Sequence, residues 1–321
     1  MAANHVTVYR SDDPSAPNLV GIPVSEVPYR LLKACLVDGY PGKPGAGWTM
    51  HFVSDDLKKC AVRNETQTGY ARFDASVKPQ GYPVRVDIFE TMTDIESGSN
   101  QWSYKESSGS GALINALYFA NSNFNSSSFR WWVVASERSC YIFLADHDNL
   151  YGNSRCAFFM GEPIVPELRQ EALGNFIACC SASSNSQTSY MGQSGFHRHS
   201  FLRLPNGDVR QSPVSELFTT HYLNSQNILN VNIPELNLVP VLITGKGPGM
   251  GADFSHFGKL PGFFLELYTV KAYGAMYNDV LRAEGKYWGD ALQIGGREFL
   301  IHQQGSSSRF VSMISTNAED W

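Results

Sequence analysis

Charge is scarce in this 321-residue chain: Asp, Glu, Lys and Arg make up 17% of it, where globular proteins average about 25%. With 43% hydrophobic and 12% aromatic residues, the composition excludes a disordered, charge-solvated chain and leaves ample material for a core, in one large domain or two closely packed ones. Neither sign dominates, since 25 Lys and Arg face 30 Asp and Glu. Nothing electrostatic therefore marks nucleic acid or an anionic membrane as a partner. Long apolar runs are also missing. The longest, Cys140 to Ala145, is six residues, against about 18 to 20 for a membrane-crossing helix. No basic stretch followed by an apolar one opens the chain, so we expect no cleaved secretory signal and folding in the cytosol of the producing cell. The six cysteines (Cys35, Cys60, Cys140, Cys156, Cys179 and Cys180) form no Cys-x-x-Cys spacing. They read as small buried hydrophobes, not a zinc site or disulfide framework, and the adjacent Cys179 and Cys180 are poorly placed to bridge.

What is present is a succession of short strands. Residues 1–22 read as an extended arm, with Val6, Val8 and Tyr9 in a short strand before Ser-Asp-Asp-Pro14 and Ala-Pro17 break regular structure. An arm of this kind suits a neighbouring subunit. The clearest helix follows: Val24, Val27, Leu31, Leu32 and Cys35 share one face over about three turns, Pro28 lies near its start and Gly39 suits its end. After the Gly/Pro connection Gly39 to Gly47, strands are expected at Thr49 to Ser54, Lys59 to Arg63 and Pro83 to Phe89, and a surface loop at Asp94 to Gly111. Arg130 to His147 is the strongest hairpin. Its arms are apolar on both faces, which demands cover from both sides, by the same chain or by another subunit. Cys156 to Met160 is a further strand, Pro166 to Leu173 reads as helical, and Phe176 to Cys180 is apolar again. The small polar stretch Ser181 to Ser194 marks a long loop or a boundary. Later strands are expected near Phe201 to Leu204, Val239 to Thr244, Phe263 to Val270 and Phe299 to His302. The expected class is α+β and strand-rich, with antiparallel sheets, a few short helices and a β-sandwich-like second half. Its expected parts are an arm (1–22), an α+β domain (23–180) and a β-rich region (181–321) that packs separately or as one body with the first.

The motifs that carry chemistry in other proteins are incomplete here. Gly245 to Gly251 (GKGPGMG) lacks the Lys-Ser/Thr pair of a phosphate loop, and no helix is expected after it, so it reads as a turn or an inter-subunit loop. His197 and His199 share one side of a strand without a third ligand. Asp146, His147 and Asp148 end the hairpin as a solvated turn. Ser107 to Gly111 (SSGSG) is the nearest approach to the Gly-x-Ser-x-Gly of a nucleophile elbow, in a low-complexity loop with no strong strand before it. Asp87, Glu90, Asp94 and Glu96 are near one another, as glycosidase carboxylates are, yet also fit a strand end and polar loop. Trp102, Tyr287, Trp288 and Trp321 are expected as surface aromatics that stack on sugars or pack on protein. No catalytic residue, cofactor or metal site is assigned.

One pattern carries a family resemblance. The arm with Arg-Ser-Asp-Asp-Pro-Ser-Ala-Pro17, the helix ending in Leu-Leu-Lys-Ala-Cys-Leu-Val-Asp-Gly-Tyr40, and Gly-Lys-Pro-Gly-Ala-Gly-Trp48-Thr resemble the opening of a family of tailed-bacteriophage virion structural proteins. Tyr82 to Ser97 resembles that family's middle segment, and Trp132 to Phe143 with Phe158 to Glu162 its central hairpin and following strand. In the second half only Gly258 to Phe263 (GKLPGF) echoes it. The resemblance implies a non-enzymatic virion component, assembled in the host bacterial cytoplasm, with copies of itself and other virion proteins (tail, connector or fibre components) as partners. A tail, neck/collar or baseplate position is expected. Candidate contacts between subunits are Val6, Val8, Tyr9, Trp131, Trp132, Gly247 and Gly249. The rival readings are a capsid decoration protein, a receptor- or glycan-binding fibre module using Trp102, Tyr104 or Trp288, and a cell-wall-degrading enzyme.

Overall fold

The structure, a computed structural model, describes residues 5–23, 25–76, 84–101, 117–118, 129–146, 154–165, 176–180, 200–203, 209–211, 238–245, 255–266, 289–303 and 312–321. The first strand, β1 (Thr7–Arg10), precedes helix α1 (Val27–Leu32), which widens into a π-helical stretch at Lys33–Asp38. Pro28 sits in the first turn of α1, where its missing N–H is no loss. Val27, Leu31, Leu32 and Cys35 are buried as their spacing predicts, and the wider second half also turns Leu36 inward. A ribbon of β2 (Gly39–Tyr40) and β3 (Lys43–Pro44) leads to a four-strand meander: β4 (Thr49–Val53), β5 (Lys59–Arg63), β6 (Tyr70–Asp74) and β7 (Arg85–Phe89). A second ribbon, β8 (Thr91–Met92) and β9 (Gly98–Ser99), precedes β10 (Leu117–Tyr118), which pairs with β7.

Next come β11 (Phe129–Ala135), β12 (Ser139–Asp146), β13 (Ser154–Gly161), β14 (Ile177–Cys180), β15 (Ser200–Arg203) and β16 (Val209–Gln211). They form a meander that β1 extends by pairing with β11, giving a seven-stranded sheet. The last group is β17 (Leu238–Gly245), β18 (Ser255–Glu266), β19 (Ala291–Ile294), β20 (Arg297–Gln303) and β21 (Ser312–Ser315), in the order β17-β18-β21-β20-β19. A 3-10 turn at Ala318–Asp320 follows. Every pairing among the described strands is antiparallel, in agreement with the expected strand-rich α+β class.

The period of two in the central hairpin sorts its side chains onto two faces. Trp131, Val133, Ile142 and Phe158 share a core with Val62, Phe73 and Val86 of the N-terminal outer sheet and with Leu31 of α1. Trp132, Val134, Tyr141 and Phe143 share another with Leu260, Phe263, Leu300 and Ile314 of the C-terminal outer sheet. The two-sided apolar hairpin thus receives both its covers from its own chain, in three stacked layers. A boundary after Cys180 falls inside the central sheet, because β14 pairs with β15 through Ala178↔Phe201 and Cys179↔Ser200. The helical stretch near Pro166 to Leu173 and the loop Ser181 to Ser194 lie outside the described residues.

Candidate functional site

The tight turn joining β11 to β12 is the junction of the three layers. Ser136 N–H donates to the Ser139 carbonyl at 2.9 Å and closes the turn, while Ser136 Oγ accepts the N–H groups of Arg138 and Ser139 at 3.3 and 3.2 Å. Its carbonyls then reach outward. Trp48 Nε1 donates to the Ser136 carbonyl at 2.9 Å, Glu65 N–H to the Glu137 carbonyl at 3.0 Å, and Asn64 Nδ2 to the Arg138 carbonyl at 3.3 Å. These bonds tie the turn to both chains at the open end of the β4–β5 hairpin, where Thr49 faces Arg63.

Glu162 is the buried charge of this junction. It follows Gly161, where a φ of +130° and the close approach of the Arg138 carbonyl to the place a Cβ would take leave room for glycine alone. One carboxylate oxygen, Oε1, accepts from Asn64 Nδ2 at 3.1 Å, Thr68 Oγ1 at 2.9 Å and Thr66 Oγ1. The other, Oε2, accepts Arg138 Nε at 2.9 Å and Nη2 at 2.6 Å. Ser139 Oγ donates to the Glu162 carbonyl at 2.7 Å. Beyond it, Ile164 and Lys259 exchange N–H···O bonds of 2.9 Å each, and Tyr141 Oη donates to the Pro261 carbonyl at 2.8 Å, which joins the C-terminal sheet. Trp321 closes the same region: its Nε1 donates to the Ser315 carbonyl at 2.8 Å, and its ring meets that of Tyr141 edge-on at 5.5 Å. Between these parts lies a cavity of about 430 Å³, with Arg138 and Glu162 on its polar side and Ile164, Val165, Pro261 and Trp321 on its apolar side.

Of the residues singled out from sequence, Trp321 lies at this junction and the other described ones fall elsewhere. Tyr9, Trp131 and Trp132 are 0%, 2% and 5% exposed within the single chain, and their side chains fill its own cores. Val6 and Val8 are half-buried against the second core. The free edge of β1 is also occupied. Lys43 Nζ donates to the Val8 carbonyl, and Arg10 N–H donates to Asp13 Oδ2 at 2.8 Å. Asp13 further accepts Tyr40 Oη at 2.6 Å and pairs with Lys43 at 2.8 Å. Burial pushes the Asp13 carboxyl up, but the Lys43, Tyr40 and Arg10 bonds together outweigh it and hold the group below its ordinary value.

Trp321, expected at the surface, is buried against Tyr141 and β18, because Gly262, at φ +64°, leaves the indole a seat that a Cβ would occupy. Of the four acids, Asp87 is enclosed between Arg72 at 2.8 Å and Arg85 at 2.9 Å, Glu96 pairs with Lys59 at 2.6 Å, and Glu90 accepts Asn100 Nδ2 at 2.5 Å. Asp94 caps a turn, where the Glu96 N–H above all lowers its carboxyl. Each is bound to a neighbour. Burial raises the thiols of Cys35, Cys60 and Cys140, which disfavours the reactive thiolate. Gly247, Gly249, Trp102, Tyr104, Tyr287, Trp288, His147, Asp148, His197, His199 and Ser107 to Gly111 lie outside the described residues.

Among the described residues, no three His, Cys, Asp or Glu gather as metal ligands, and no helix is long and apolar enough to cross a membrane. The Asn64–Thr68–Arg138–Glu162 junction is not foreseen by the sequence. Its one local signal is an acid between Gly161 and Pro163 at the end of an apolar strand. Compared with protein-family models and with curated proteins, the chain matches none.

Proposed function

We propose that the protein is a structural component of a tailed-bacteriophage virion, a tail, neck/collar or baseplate-associated subunit that assembles with copies of itself on other virion proteins. One observation carries this reading. The segments that resemble that family, separated along the chain, supply one shared core: Tyr9, Leu31 and Trp48 from the first, Val86 from the second, Ile142 and Phe158 from the third and fourth. Separate segments that resemble one family and also meet in space are what a common fold produces. The described polar groups of the junction support a scaffold role, since their bonds join layers of the chain to one another.

In this reading contacts between copies use surfaces other than the aromatic side chains of β1 and β11. The β4 edge suits such a contact, since it alternates between exposed and half-buried residues, and Val53 is 38% exposed at its end. Mass spectrometry of purified particles tests the proposal, with the copy number per particle measured against a known capsid protein. A closed ring gives a fixed copy number, and a multiple of about six per particle would favour a tail or neck position. Hundreds of copies would move the protein to capsid decoration, and absence from the particles would overturn the reading.

A further inference from the structure

We propose that the cavity beside the β11–β12 turn is a binding site for a carboxylate attached to a small apolar body. This inference is independent of the virion reading. The cavity's volume of about 430 Å³ lies within the roughly 300 to 1,000 Å³ of small-ligand pockets. Its apolar side, Ile164, Val165, Pro261 and Trp321, would take an aliphatic group of a few carbons. That wall is preformed, being held by the paired Ile164–Lys259 backbone bonds and by the Trp321 indole bond to Ser315, so little ordering is needed on binding.

The polar side offers one unused group. Ser136 Oγ already accepts two N–H groups, Ser139 Oγ donates to Glu162, and the Glu162 carboxylate receives donors on both oxygens. Arg138 commits Nε and Nη2 to Glu162, and among the described residues no group takes its Nη1. The exposure of the pair is lopsided: the Arg138 side chain is 49% exposed and that of Glu162 is 5%. Both residues line the cavity, the cation is the more exposed of the two, and the guanidinium edge not used by Glu162 is the donor left for a ligand. A planar guanidinium can bridge two carboxylates, one on each edge, so a singly charged carboxylate fits better than a phosphate, whose second charge would meet the nearby Glu162.

The test is an NMR titration of the full chain, reading the Arg138 Nε–H and Trp321 indole N–H signals. N-acetyl-leucine, its uncharged amide and acetyl-Asp-Leu-amide are the probes. Saturable shifts of both signals are expected with at least one carboxylate probe, and at least about tenfold weaker binding with the uncharged amide. If acetyl-Asp-Leu-amide binds, the carboxylate comes from an acidic peptide; if N-acetyl-leucine alone binds, it comes from a free small acid. Val165→Phe, which enlarges a residue of the apolar lining, should weaken binding about tenfold while leaving the remaining spectrum folded. The proposal is overturned if neither carboxylate gives saturable shifts at about 20 mM, well above a millimolar Kd. It is equally overturned if the amide binds as well as the acids, or if Val165→Phe binds unchanged.

Discussion

At the scale of single residues, the junction separates the value of a charge from the value of a hydrogen-bond acceptor. Glu162 is buried and receives two N–H groups of Arg138 on one oxygen and neutral donors on the other. Removing Arg138 strands the carboxylate in the interior without a counter-ion, the costly way to break such a pair, at about 3 kcal/mol. Removing the charge as well relieves this, because a glutamine carbonyl still accepts from Asn64 and Thr68. Arg138→Ala should therefore lower the urea midpoint by an amount equivalent to about 3 kcal/mol, and Arg138→Ala with Glu162→Gln should recover at least about 1 kcal/mol of it. A double variant as unstable as the sum of the two single ones would show that charge burial is not what makes the pair costly to break.

At the scale of elements, β1 shows how a short strand is kept from acting as an open template. The backbone groups of Val8 and Arg10 on its free edge are taken by Lys43 and Tyr40 from the β2–β3 ribbon and by Asp13 from the turn after β1. Asp13 makes this cap sensitive to acid. Its folded carboxyl titrates below the ordinary 3.8, so the unfolded chain takes the proton more readily. The contribution to stability is complete above about pH 5 and is lost as pH falls through the folded value. Asp13→Asn should thus be less stable than the parent at pH 7, the gap narrowing towards about pH 3, with faster hydrogen exchange at the Arg10 amide throughout. A gap that stays constant or widens in acid would exclude the carboxylate as the group responsible.

Elements were legible in the sequence where their partners are close by. The central hairpin declares itself because its arms are joined by three residues, and α1 because its apolar face repeats locally. The strand β6, Tyr-Ala-Arg-Phe-Asp, does not, and it is absent from the strands expected between Thr49 and Phe89. Its charges face the outer side of the sheet, where Arg72 meets Asp87 at 2.8 Å and Asp74 meets Arg85 at 3.5 Å across the ladder to β7. Cross-strand pairing is what lets those residues sit in a strand buried along its whole length. The junction was illegible for the same reason carried further, since Asn64, Arg138 and Glu162 belong to three separate turns that only the packed layers bring together.

At the scale of the whole molecule, the central sheet lends one face to each outer sheet, and neighbouring residues report on opposite cores. Trp131 packs towards the N-terminal outer sheet, whereas Trp132 packs against Phe143 at 5.7 Å and lies near Gly289, on the C-terminal side. A rigid backbone links the two, and the junction bonds join all three layers at one end. Loosening either core should therefore be felt by both. Trp131→Ala and Trp132→Ala are each expected to cost about 3 to 5 kcal/mol, Trp132 at the lower end because it keeps slightly more contact with solvent. In each variant the urea transitions followed by tryptophan fluorescence and by far-UV circular dichroism should coincide, as they should in the parent. Layers that act independently would instead give Trp132→Ala an early transition confined to the C-terminal sheet, with the remaining signal melting at the parent's midpoint. Coincidence is also what an assembly subunit needs, because a contact made on one outer layer then bears on the entire chain and not on a detachable sheet.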